Sequence, residues 1–465
     1  MNLLKDPASK VLFNMSWPTS LGMLSTILFQ VVDTYFVGSL GPKPLAALGF
    51  ASTVYFLLVG LFIGLTIATS MLLGKAVGGG KGDEVRRIAS IGLLLSLAVG
   101  LFVGASGIIS LDPLFRLLGA TPDILVNIRA YMVPMYAGMP ILAMGIVASA
   151  IPRTMGEVKT PEVIFGIAGL INAFLDYAFI FGAFGFPALG IKGVAYGTVI
   201  SWIFIWIAMA VVLLRGNRLS NPLHRIASNL PILDALRKMG LPAIAAQMVA
   251  PLSLMFLTFL LGRVSADAVA AYGVAGRIET LMMIGIMGVS TAMTPFIAQN
   301  FGAKQVLRID EAIVFGGKAA SYLGLFVMFL MFVIIRPLAG VFTDSQEIIE
   351  YTTLYFYLVS GSYVFYGLYQ VTVAIFQGLQ MPKKSLRIVV VRTFLLVMPL
   401  AFIGSYWGVL GIFIGITVGN VLGGVYAGFE MRKELRRVGS HLVDRNPARD
   451  MWRDVKQMVS RGSNR

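Results

Sequence analysis

Twelve times along this chain an apolar run of about 20 residues recurs, each long enough to cross a hydrocarbon core. The approximate cores are 12–37, 47–74, 88–110, 127–150, 162–183, 193–214, 239–262, 273–298, 311–335, 351–376, 386–405 and 408–430. Lipid offers the backbone no hydrogen bonds, so runs of this length can only be helices. The expected fold class is therefore an all-α membrane protein of twelve transmembrane helices. Composition agrees: of 465 residues, 57% are hydrophobic and 13% charged, against about 25% charged in soluble proteins. The first run is too long for the core of a signal peptide and ends in no small-residue cleavage site, so it reads as a retained first span.

The net charge of +15 invites a nucleic-acid reading, but the placement of the cations opposes it. Lys5 and Lys10 precede span 1; Lys75, Lys81, Arg86 and Arg87 follow span 2; Arg153 and Lys159 follow span 4. Arg215, Arg218, Arg225, Arg237 and Lys238 fill the loop after span 6, Lys304 and Arg308 follow span 8, and Lys383, Lys384 and Arg387 follow span 10. Ten more lie from Arg432 onward, while the opposite side holds Lys43, Arg116, Arg129, Lys192, Arg263 and Arg336. This asymmetry sets both termini in the cytoplasm and leaves no nucleic-acid partner to invoke. The absence of cysteine removes disulfides, thiolate nucleophiles and cysteine metal sites. Both histidines, His224 and His441, fall in polar loops, away from any membrane chemistry. The 24 Met and 31 Phe supply adaptable apolar surface, suited to a pocket for varied ligands and equally to ordinary packing.

Sliding the chain against itself, without a gap, until Gly38 falls on Gly262 also brings Ala46 and Ala47 onto Ala270 and Ala271. The same register puts Gly49 on Gly273, Gly64 on Gly288, Ala68 on Ala292 and Gly78 on Gly302. Matches concentrated on small residues point to shared close helix contacts. GEVKTP (156–161) also resembles GLQMP (378–382) with a one-residue slip. The chain reads as two pseudo-symmetric six-helix bundles around a central cavity, a parallel repeat of the kind transporters use. The expected division is an N-terminal lobe at 1–215, a linker at 216–238 containing an amphipathic surface helix, a C-terminal lobe at 239–431 and a basic tail at 432–465 in contact with headgroups or water.

Within this oil-like sequence the acids stand out. Asp33, in LFQVVDTYFVG, has no Lys or Arg between Lys10 and Lys43 to neutralise it. A carboxylate at membrane depth costs about 2.5–3.5 kcal/mol on insertion scales and marks an ion or substrate path; a structural hydrogen bond between helices is the plainer alternative. Asp176 lies in LINAFLDYAFI, one helical turn after Asn172. Gln30 shares the Asp33 face, and span 6 offers Thr198. The shifted half has Leu257 opposite Asp33 and a position near Val397 opposite Asp176, so these two acids break the repeat. If spans 1, 5 and 6 converge, two carboxylates, an amide and a hydroxyl meet in an apolar wall. Such a pair can take up a proton on one side and release it on the other, or hold a small hard cation. Pro18 permits a bend in span 1, static or acting as a hinge. Arg277 and Glu279 read as a local pair or snorkelling side chains, and Arg392 as a group with a helix-end or interhelical partner.

VDTYFVGSLG in span 1, NAFLD in span 5 and GLP at 240–242, within twelve spans in two parallel halves, resemble the multidrug and toxic compound extrusion (MATE) family over Leu4 to Arg437. Within it the chain is similar to the DinF-type branch. That resemblance implies a cation site in the N-terminal lobe at Asp33, Asn172, Asp176 and Thr198, with Pro18 as the helix-1 proline. A tyrosine often found one turn before the aspartate is Phe29 here, which with Gln30 would line the substrate cavity. The NorM-type branch keeps acids in the C-terminal lobe, where this chain has Ala250 and Tyr366. The resemblance implies a monomeric antiporter of the bacterial inner membrane, without cofactor. It would export lipophilic or cationic drugs in exchange for protons or sodium, with membrane lipids around it. The alternatives are a flippase for lipid-linked or polysaccharide precursors, which tends to show more cavity arginines, an integral membrane enzyme, for which no nucleophile or metal cluster is present, and a channel, for which no repeated filter loop appears.

Overall fold

The computed structural model describes residues 2–221 and 226–438. His224, His441 and the tail beyond residue 438 lie outside the described residues. Twelve helices run in chain order: α1 (Ala8–Ser39), α2 (Pro42–Gly78), α3 (Gly82–Leu117), α4 (Pro122–Thr154), α5 (Lys159–Phe181), α6 (Ile191–Arg215), α7 (Ile226–Gly262), α8 (Ala266–Gly302), α9 (Val306–Gly340), α10 (Gln346–Gly378), α11 (382–404) and α12 (Gly408–Val438). Every expected span is present, and no strand occurs among the described residues. Side chains such as Phe326, Phe329 and Val333 on α9 stay exposed, as a lipid-facing wall requires.

The loop after α6 differs from expectation. In place of a separate surface helix, the segment from Ile226 runs unbroken into the seventh span, through Pro231 and Pro242. Burial explains this. Leu236 is fully buried and Ile232 partly buried against Ala68 and Met71 of α2 and Ile91 of α3. Arg87 of α3 donates to Asn229 Oδ1 at 2.9 Å. The amphipathic face therefore lies on the first six helices rather than on a membrane surface.

One apolar core gathers α2, α3, α4 and α6, with side chains such as Phe62, Met132, Val147 and Met209. Two more fill the second set of six helices, around Phe296 and Phe376, and around Phe356 and Phe413. The two sets meet where α2 and α8 end. A side chain on Gly78 would overlap the carbonyl oxygen of Gln299, and one on Gly302 would overlap that of Lys75. The register of the repeat carries Lys75 to Gln299 and Gly78 to Gly302, so each half presents to the other the same glycine and the same carbonyl. A pseudo-two-fold axis passes through this contact. Gln299 Nε2 also donates to the Thr154 carbonyl, and Gln380 Nε2 donates to that of Met71 at 2.6 Å.

Helix α1 belongs to both halves. At its start, Ala8, Val11, Leu12 and Met15 pack with Met293, Phe296 and Ile297 of α8. Arg308 ties this end down by donating to the carbonyls of Leu3 (2.9 Å) and Asp6 (2.6 Å). At its far end Phe36 meets Tyr177 and Phe181 of α5, both at 6.1 Å between ring centroids. Pro18 stands between these attachments, inside a helix that remains α-helical from end to end.

Candidate cation-coupling site

Helices α1, α5 and α6 converge on the far half of α1. Asp33 comes from α1, Asn172 and Asp176 from successive turns of α5, and Thr198 from α6. Asn172 Nδ2 donates to Asp176 Oδ1 at 3.3 Å and reaches Thr198 Oγ1 at 3.4 Å. The Thr198 hydroxyl itself donates to the Val194 carbonyl at 3.0 Å, which leaves its lone pairs turned toward the site. Asp176 is completely buried, and its carboxyl faces that of Asp33 at hydrogen-bonding range. Asp33 Oδ1 and Asp176 Oδ2 are each buried without a donor. Two facing acceptors in a dry wall need something positive between them, either a proton or a small cation. The donor set is all oxygen plus one amide, which suits a hard ion.

Several neighbours escape notice in the sequence. Tyr55 of α2 and Tyr131 of α4 lie within electrostatic reach of Asp33, and Tyr55 stacks on Trp202 of α6 at 6.2 Å. Gly197 lets α6 approach: a Cβ there would stand 2.6 Å from Asp176 Oδ1. Nothing in the spacing of these residues marks them, since they act across gaps between helices.

Of the remaining residues singled out from sequence, Phe29 packs flat onto α5, where its ring occupies the space a side chain on Gly169 would need. Gln30 is exposed on α1. Ala250 and Tyr366 leave the second half without acids at those positions. That half nonetheless carries an inward-turned carboxylate at another position. Glu279 of α8 turns inward and accepts from Tyr355 Oη at 3.0 Å, rather than pairing with Arg277 or reaching for the surface. The shifted comparison covers only the counterparts of Asp33 and Asp176, whereas Glu279 is the counterpart of Tyr55.

Comparison with known proteins fits this architecture. The MatE family model matches residues 18–178 and again 242–403, two copies that start in the same register as the internal repeat. A protein of Shewanella oneidensis named FAD transporter is 31% identical over 417 residues, covering 89% of this chain and 92% of that one. The probable multidrug resistance protein YoeA of Bacillus subtilis is 25% identical, covering 83% and 85%. Among solved structures, the Vibrio cholerae MATE transporter VcmN in the bent form superposes with a TM-score of 0.87 at 28% identity, covering 93% of this chain and 98% of that one. Twelve helices in two matched sets, each set matched by the family model, make this chain a member of the MatE family of multidrug and toxic compound extrusion transporters.

Proposed function

We propose that the protein is a secondary antiporter that exports small organic molecules, driven by protons or sodium bound at Asp33, Asn172, Asp176 and Thr198. The observation that carries this reading is the facing pair of carboxyls, each with a buried oxygen that lacks a donor. Entry of an ion satisfies both oxygens at once. Its departure leaves two charges in contact, which drives α1 and α5 apart. The ion and the exported molecule then favour different arrangements of the lobes, as coupling requires. The charge bias of the loops supports cytoplasmic termini in a bacterial inner membrane. The N-terminal placement of the acids supports the DinF-type branch.

The names of relatives support two substrate classes. Several are called multidrug resistance or export proteins, which supports lipophilic and cationic drugs. The FAD transporter at 31% identity supports a flavin dinucleotide. Coupling is tested in proteoliposomes that carry an imposed pH gradient, with ethidium and FAD as cargo, with and without sodium. Wild-type protein accumulates cargo and releases protons when cargo is added. Asp33→Asn and Asp176→Asn lower accumulation by about tenfold or more, since each removes one of the two facing carboxylates. Undiminished uptake by Asp33→Asn would overturn the coupling role.

A further inference from the structure

Helix α11 changes its winding over Val391–Val397, where seven residues form a π-helix. Such segments are rare and recur at functional sites. The register that superposes Pro161 on Pro382 and Asp176 on Val397 places this segment over the counterparts of 170–176 in α5. That is the stretch that carries Asn172 and Asp176. In the first lobe it is α-helical and bears a carboxylate; in the second it is π-helical and bears Arg392.

Arg392 is held in an unusual way. Its guanidinium lies over two adjacent tyrosine rings of α10, 4.8 Å from the centroid of Tyr366 and 4.6 Å from that of Tyr369, the two centroids being 5.9 Å apart. One edge is taken: Nη2 donates to Asn420 Oδ1 of α12 at 2.5 Å, and Asn420 Nδ2 in turn donates to Ser362 Oγ at 3.1 Å. Nε is buried with no acceptor. Among the described residues Arg392 forms no ion pair, and the nearby Glu279 is engaged by Tyr355 instead. A permanent cation in a membrane protein normally finds a carboxylate. Here the neighbours are two tyrosines, with the Tyr369 hydroxyl a hydrogen-bond partner, and a neutral amide, so the charge is kept and only oriented.

A guanidinium fixed by stacking presents its free edge as a fork of donors, the geometry that takes a carboxylate or phosphate. Beside it Tyr366, only partly buried, offers an aromatic surface for a planar ring, while Tyr369 is packed in the core. A lipophilic cation would meet like charge at this place.

We propose that Arg392, held by Tyr366, Tyr369 and Asn420, binds the oxyanion group of the transported molecule, whose body is aromatic. The second lobe thus takes an organic anion while the first takes the coupling ion. This rests on the exporter reading above and narrows its substrate class.

The test is equilibrium binding to the purified full-length protein in lipid nanodiscs, with three probes: FAD, riboflavin (the same ring system without phosphate) and ethidium. Wild-type protein binds FAD at least about tenfold more tightly than riboflavin. Arg392→Gln brings that ratio to about one, whereas Arg392→Lys retains part of it. Asn420→Asp supplies the guanidinium with a carboxylate in place, so it keeps the fold and loses the preference for FAD. This variant keeps the test decisive if Arg392→Gln fails to fold. Asp33→Asn shifts FAD and riboflavin affinity together and leaves their ratio as in wild type, because it alters the other lobe. A FAD to riboflavin ratio near one in wild-type protein, or one unchanged in Asn420→Asp, overturns the proposal. If ethidium still releases protons in that case, the exporter reading stands and only the anion site falls. If neither cargo releases protons or sodium, the exporter reading falls with it.

Discussion

At the scale of single residues, the site depends on what is absent as much as on what is present. Gly197 has no side chain, and Asp176 fills the room. Replacing glycine by alanine in a helix ordinarily stabilises by about 0.5–1 kcal/mol. Gly197→Ala is therefore expected to leave thermal stability unchanged or slightly raised, while pushing the Asp176 carboxyl away from Asp33. Proton release per cargo molecule should fall several-fold with normal melting; a melting loss that tracks the transport loss would mean the glycine serves packing alone. Thr198→Val keeps shape and removes one oxygen. If sodium is the ion, its affinity drops by about tenfold, roughly one ligand's worth; if protons alone are used, transport changes little. Comparing the two ions therefore separates the couplings in one variant.

How much of the site is legible in the sequence depends on spacing. Asn172 and Asp176 announce themselves because one helix places them a turn apart, and their meeting with Thr198 and Asp33 follows once α1, α5 and α6 converge. Tyr55, Tyr131 and Glu279 do not, because each acts across a gap between helices, which no periodicity records. The sequence suggests an interhelical partner for Arg392, and Asn420 is that partner. The pair of tyrosines around it and the π-helical winding stay hidden, since a wider turn leaves no signature in composition.

At the scale of helices, hydropathy locates every span because length and apolarity are all that a membrane demands. It misplaces the start of α7, where turn-forming residues and Pro231 suggest a break that burial of Ile232 and Leu236 prevents. The helix with most at stake is α1. Its start is clamped to the second lobe by Arg308, its end to the first by Phe36. If the lobes part as the proposed cycle requires, this helix must stretch, slide or bend. Pro18 lies between the clamps and removes one backbone hydrogen bond, so bending is least costly there. Pro18→Ala should stabilise the straight helix and slow transport by about tenfold or more, with cargo binding retained. Unaltered turnover in Pro18→Ala would leave the proline as a static feature.

At the scale of the whole molecule, the repeat is readable as one constant offset between matched small residues, yet the way the halves touch is not. The reciprocal contact of Gly78 and Gly302 with opposing carbonyls closes the side of the bundle that carries the N-terminus. Alanine at either glycine should force this contact open, and alanine at both should do so more strongly. Because the chain contains no cysteine, one introduced at Thr154, fully buried beside the seam, reports opening without background. Labelling by a water-soluble maleimide should rise several-fold in Gly302→Ala; protection equal to wild type would show that the lobes tolerate the added methyl groups.

Where Gly78 and Gly302 meet, that seam is bare backbone. Knobs and holes must be withdrawn before two surfaces can part, and they must find one another again on return; at this point carbonyl against glycine leaves little to disengage. Two glutamine amides, from Gln299 and Gln380, bridge it by hydrogen bonds. Like a sliding bolt rather than a zip, such a contact can part and close again many times, as the proposed transport cycle requires.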